Sequence, residues 1–145
     1  VSVASANSIN IACSSKDSCS HLTVYGINAQ SIDLTCASAL SSDPSLFAAS
    51  CPSVVVYATN AENLKIFARH LSHGVIHAQN AMNFELTCLS NGGDDGCYKS
   101  DIYLPSKSVN DGDITLNVYG SSHSINTYQS SVGTTCNALR DIQMN

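Results

Sequence analysis

Leu22-Thr23-Val24-Tyr25-Gly26-Ile27-Asn28-Ala29-Gln30-Ser31-Ile32-Asp33-Leu34-Thr35-Cys36 is a sentence that this chain repeats. It recurs as Val54-Val55-Val56-Tyr57-Ala58-Thr59-Asn60-Ala61-Glu62-Asn63-Leu64-Lys65-Ile66-Phe67-Ala68, and again as Ile76-His77-Ala78-Gln79-Asn80-Ala81-Met82-Asn83-Phe84-Glu85-Leu86-Thr87-Cys88. With one residue deleted, Leu116-Asn117-Val118-Tyr119-Gly120 leading to Ile125-Asn126-Thr127 reads as a fourth copy. Each copy has the alternation of a strand, then an Asn-containing tight turn, then a second strand, which predicts a stack of like coils with identical positions above one another.

Period-2 alternation assigns the faces. Leu22, Val24, Ile32 and Leu34 point inward, and Thr23, Tyr25 and Asp33 outward. Two inner ladders follow. The first is Val24, Val56, Ile76, Ile102 and Val118; the second is Ile11, Leu34, Ile66 and Leu86, extended by Val109 and Thr127. The shortest copy leaves Arg69-His70-Leu71-Ser72-His73 for a third side, with Leu71 turned in.

In the turn, Asn28, Asn60 and Asn80 fall in register, and Asn tolerates the left-handed backbone that a tight turn can require. Its amide can also bond to the amides above and below in a stack. With these residues the chain resembles the right-handed parallel β-helix family, the pectate-lyase-like fold, in which such an Asn ladder marks a bend between sheets. That resemblance implies an all-β parallel β-helix, a β-solenoid of about five coils, and it carries no motif of activity. The expected organisation is a single domain over residues 1–145, opening with a half-coil at 1–13. There, Ala6-Asn7-Ser8-Ile9-Asn10-Ile11-Ala12-Cys13 lines up with Ala29-Gln30-Ser31-Ile32-Asp33-Leu34-Thr35-Cys36. The start at Val1 reads as a processed product or a piece of something longer.

Seven cysteines in 145 residues point to an oxidising compartment, extracellular or at the cell surface. Cys13, Cys36 and Cys88 each end a second strand, and Cys19, Cys51 or Cys97 follows after a loop. The copy without an insertion has Ala68 at that place and no second cysteine. Presence and absence go together, so Cys13–Cys19, Cys36–Cys51 and Cys88–Cys97 are favoured over other pairings as staples of the loops. Cys136 is then unpaired or bonded between chains.

The outer face of the first strands carries Tyr25, Tyr57, Tyr103 and Tyr119, with His77 in the remaining slot. Such a stripe is either strand propensity with self-stacking, or a contact surface for a glycan or a neighbouring subunit. Charged residues make up 12% of the chain and the net charge is −5, with Lys16, Lys65, Arg69, Lys99, Lys107 and Arg140 scattered. Nucleic acid is therefore not an expected partner, and no apolar run is long enough for a membrane span.

Candidate chemistry is sparse. His70, His73 and His77 read as a polar third side and a strand residue rather than a metal site. Asn91–Gly96 and Asn110–Asp113 read as turns without the spacing of a calcium loop. Asp33, Lys65 and Glu85 share an outward column with alternating sign, which reads as ion pairing between neighbouring coils. No catalytic set, metal or cofactor is assigned, and the chain is not read as an enzyme. The leading expectation is a structural subunit or segment of an extracellular fibre or surface appendage, a homo-oligomer or filament assembling head to tail. The second is a secreted carbohydrate-binding or adhesin module using the tyrosine stripe.

Overall fold

The computed structural model describes residues 7–14, 18–36, 51–69, 71–89, 97, 99–105, 113–118 and 126–129. Among them are ten strands and no helix: β1 (Ser8–Cys13), β2 (Thr23–Tyr25), β3 (Ser31–Cys36), β4 (Val55–Tyr57), β5 (Asn63–Ala68), β6 (Val75–His77), β7 (Asn83–Cys88), β8 (Asp101–Leu104), β9 (Ile114–Val118) and β10 (Asn126–Gln129). The protein is all-β. Successive strands alternate between two parallel sheets, one of longer strands in the order β1-β3-β5-β7-β9 and one of shorter strands in the order β10-β8-β6-β4-β2. Each strand thus pairs with the strand two places along the chain.

The register follows the repeats. Ile11, Leu34, Ile66, Leu86 and Leu116 form one inward column across the long strands, with Ile9, Ile32, Leu64, Phe84 and Ile114 beside it. On the short strands the inward column is Val24, Val56, Ile76 and Ile102, with Thr127 next in backbone register. Leu34, Ile66, Leu86, Val56, Ile76 and Ile102 are all fully buried. Each such side chain contributes on the order of 1.5 to 3 kcal/mol by leaving water, so the two columns form the core.

The fourth copy is placed differently from the sequence reading. Leu116 and Val118 lie on β9, opposite Leu86 and Cys88 in the long-strand sheet, and not above Ile102. The short-strand sheet is continued by β10, which sets Thr127 on Ile102 and Tyr128 on Tyr103. Leu-Asn-Val has the same alternation whichever sheet it joins. The deciding factor is the order of visits, because after β8 the chain must cross to the long-strand sheet before returning. Thr127 consequently belongs to the first ladder and not the second, while Val109 lies outside the described residues.

Three segments connect the sheets in register. Gly26–Ala29, Ala58–Ala61 and Ala78–Ala81 are tight turns closed by N–H to carbonyl bonds of 3.0 to 3.1 Å from the last residue to the first. Their backbones also stack, with the Asn60 N–H donating to Ile27 and the Asn80 N–H to Thr59. The left-handed backbone expected at these Asn residues occurs elsewhere. His21, Ser53, His73 and Lys99 have φ between 47° and 57°, each three residues before Val24, Val56, Ile76 or Ile102. A non-glycine residue there costs about 1 to 2 kcal/mol, and the cost is met by stacking: the His21 N–H donates to Pro52 and the Ser53 N–H to Ser72.

Leu71 is fully buried on this third side. Gly74 makes its room, since a β-carbon there would stand 2.8 to 3.0 Å from the Leu71 side chain. Ser100 is the buried polar residue among those described, and its hydroxyl accepts from the Gly74 N–H and donates to the Leu71 carbonyl. Cys13 is bonded to Cys19, Cys36 to Cys51 and Cys88 to Cys97, each pair with α-carbons 5.7 to 5.8 Å apart. Ala68 fills the place between Cys36 and Cys88 on the strands.

Candidate functional site

The outward position of the short strands carries Tyr25, Tyr57, His77 and Tyr103, and sheet register fixes these residues one above the next. Parallel strands repeat about every 4.8 Å, which is close to the separation at which two aromatic rings stack. The rings accordingly lie 4.9, 4.8 and 4.6 Å apart, with interplanar angles of 5°, 3° and 8°. Tyr57, His77 and Tyr103 are half-buried, and each of Tyr57 and His77 has a ring on both faces. Burial lowers the His77 pKa below its ordinary value, favouring the neutral imidazole. The Nδ1 of His77 lies 3.4 Å from the Gln79 amide nitrogen.

Among the described residues Tyr25 ends the column. It is 43% exposed and stacks one face on Tyr57. Ile27, two residues on, is 44% exposed at the same end. Beside it runs the amide ladder: the Asn80 Nδ2 donates to the Asn60 Oδ1 at 3.1 Å, and the Asn60 Nδ2 to the Asn28 Oδ1 at 3.3 Å. Every donor points toward β2. The Nδ2 of Asn28 is the next donor in that direction and has no acceptor among the described residues.

No family model matches this chain, and neither a curated protein nor a solved structure matches it. The site is therefore read from its own geometry.

Several expected residues lie elsewhere or outside the description. Tyr119 and Cys136 are outside the described residues, and the place assigned to Tyr119 in the column is taken in backbone register by Tyr128. Of the three histidines, His70 is also outside. His73 sits at the third-side bend with its Nδ1 2.8 Å from the Ser72 hydroxyl, whereas His77 belongs to the ring column. Asn91 to Gly96 and residues 110–112 are outside as well. The Asp33, Lys65 and Glu85 column forms on β3, β5 and β7, with Lys65 Nζ 3.0 Å from Glu85 Oε2. Lys65 and Glu85 are half exposed and the pair is an ordinary surface one.

Sequence reasoning missed a second polar ladder. Ser8, Ser31, Asn63 and Asn83 begin the long strands in register, with the Ser31 hydroxyl donating to Ser8 and the Asn83 Nδ2 to the Asn63 Oδ1 at 2.7 Å. The signal was present in the repeats, three places after each turn Asn. Among the described residues no helix is long and apolar enough to cross a membrane.

Proposed function

We propose that this chain is a structural building block of an extracellular fibre or surface appendage, and that it joins end to end with another copy through its β1/β2 end. On this reading the two sheets are faces of a right-handed parallel β-helix of about five coils. The observation that carries it is the place of Tyr25, 43% exposed, at the end of the ring column among the described residues. A stack of coils is best complemented by another coil, because an added layer would supply a ring at the same spacing and an amide acceptor for Asn28 Nδ2. The amide ladder has a direction, which favours head-to-tail over head-to-head contact. Such a contact propagates when it does not close into a ring. Three disulfides and the low charge are compatible with an extracellular place.

The carbohydrate-binding or adhesin reading draws on the same Tyr25 ring. A sugar packs its C–H face on the face of an aromatic ring, and stacking leaves only ring edges along the flank of the column. A glycan would therefore sit at the end and compete with a second copy.

Sedimentation velocity and negative-stain microscopy over a concentration series test both. Wild-type protein should lengthen into rods or filaments as concentration rises, and Tyr25→Asp should hold it single by placing a charge on the contact. Wild-type protein that stays single at every concentration would reject assembly. If it then binds on a glycan array, and Tyr25→Ala abolishes that binding, the adhesin reading takes its place.

A further inference from the structure

Cys13 and Cys36 occupy one inward column on neighbouring strands, in direct register on β1 and β3. Their two disulfides consequently lie side by side. The sulfur atoms of Cys13, Cys36 and Cys51 are all within 4.8 Å of one another, and Cys19 is bonded to the first of them. Cys13, Cys36 and Cys51 are buried, while Cys19 is only partly so and sets the fourth sulfur at the solvent edge. The third disulfide is different. Ala68 stands between Cys36 and Cys88 in the same column, so Cys88 and Cys97 form a pair of sulfurs beyond that spacer.

We propose that reduction of the Cys13–Cys19 and Cys36–Cys51 disulfides turns this corner into a tetrathiolate site for a thiophilic divalent cation of the zinc type. The proposal is independent of how the chain assembles. A dithiol reductant supplies two electrons and two protons to each disulfide and leaves as its own disulfide, so four thiols result. The cation then takes the four sulfurs as thiolates and their protons pass to water. Zinc–sulfur bonds of about 2.3 Å in a tetrahedron place sulfurs about 3.8 Å apart. The Cys13, Cys36 and Cys51 sulfurs, already within 4.8 Å of one another, reach that spacing by movements of about 1 Å, and Cys19, freed from Cys13 by reduction, has to swing in from the solvent edge to complete the set. Burial opposes a bare thiolate, so the anionic form of this corner depends on the cation. Sequence spacing hides the site, because its ligands come from pairs separated by 6 and 15 residues and meet only through strand register.

The test uses the full chain carrying Cys136→Ser, in oxidised and anaerobically reduced forms, titrated with Co²⁺ as the probe. The oxidised protein should show no thiolate–cobalt absorption. The reduced protein should bind one Co²⁺ per chain with sulfur-to-cobalt charge transfer and the intense visible bands of a tetrahedral thiolate site, and zinc should displace it. Cys88→Ser/Cys97→Ser should keep the signal in full, and Cys36→Ser/Cys51→Ser should abolish it. Far-ultraviolet circular dichroism gives a readout independent of cobalt: zinc should restore β-sheet signal lost on reduction. Absence of the tetrahedral bands, their survival without Cys36 and Cys51, their loss without Cys88 and Cys97, or failure of zinc to restore the sheet signal would each overturn the assignment.

Discussion

Asn60→Ala removes two side-chain hydrogen bonds at once, because Asn60 donates to Asn28 at 3.3 Å and accepts from Asn80 at 3.1 Å. A net contribution of about 0.5 to 1.5 kcal/mol is usual for each bond. All three amides are exposed, so the groups left behind on Asn28 and Asn80 return to water without a burial penalty. The expected loss therefore sits in the lower part of the summed range, about 1 to 2 kcal/mol. Asn28→Ala removes only the first bond and should cost about 0.5 to 1 kcal/mol. The φ of Asn60 is not in the left-handed region, so Asn60→Leu should cost about the same as Asn60→Ala rather than carry an added backbone penalty.

Urea unfolding followed by circular dichroism measures these losses, and the double variant makes the test specific. Once Asn60 is gone, Asn28 has no amide to lose, so the two single losses should exceed the double loss by about 0.5 to 1 kcal/mol. A loss for Asn60→Ala below about 0.5 kcal/mol, the ordinary size of a surface effect, would refute the ladder as a stabilising element. Simple additivity with Asn28→Ala would do the same. A Leu variant much worse than the Ala variant would show instead that the turn itself is strained.

Replacing Cys36 and Cys51 together by Ala should lower stability by about 3 kcal/mol, as expected for a closed loop of 15 residues. The same change at Cys88 and Cys97, then at Cys13 and Cys19, should cost progressively less, since their separations are 9 and 6; an inverted order in urea midpoints would count against loop closure as the cause. His77, held neutral by burial, should make stability fall with acidification: the unfolded chain gains a proton as pH drops through about 6.5, and the loss is complete below the lower folded pKa. In His77→Tyr that component should vanish, so the difference in urea midpoint between variant and wild type should widen from about pH 7.5 to about pH 5; a constant difference would be the contrary result.

What the sequence made legible is what strand register enforces. Val24, Val56 and Ile76 could be aligned by eye because period-2 alternation and a repeated Tyr or His leave one way to superpose them, and the sheets pair them accordingly. The same alternation failed at Leu116 to Val118, because the inward face of either sheet accepts Leu-Asn-Val. Backbone dihedrals were beyond its reach too. The reading placed the left-handed residue at Asn, by propensity, while the chain places it at His21, Ser53, His73 and Lys99. These four share no residue type that announces such a bend. There the conformation is imposed by the geometry of the third side and held by hydrogen bonds between repeats, so tertiary context outweighs propensity.

The aromatic column shows how one geometric constant links fold to function. Strand spacing sets ring spacing, so outward rings on parallel strands have little choice but to stack, and stacking consumes the ring faces that a ligand would use. Each interior layer is thereby satisfied by its neighbours, in the core columns, the rings and the amides alike. Among the described residues the last layer of the short-strand sheet, at β2, presents three kinds of group in one place: a ring at Tyr25, an exposed Ile27 and an amide donor at Asn28. A small ligand could engage one of these. A further layer of the same repeat would engage all three at the spacing the molecule already uses, with an acceptor on the side to which the ladder points. That match of kind, spacing and direction is the ground on which self-association, rather than glycan capture, is proposed as the use of this end.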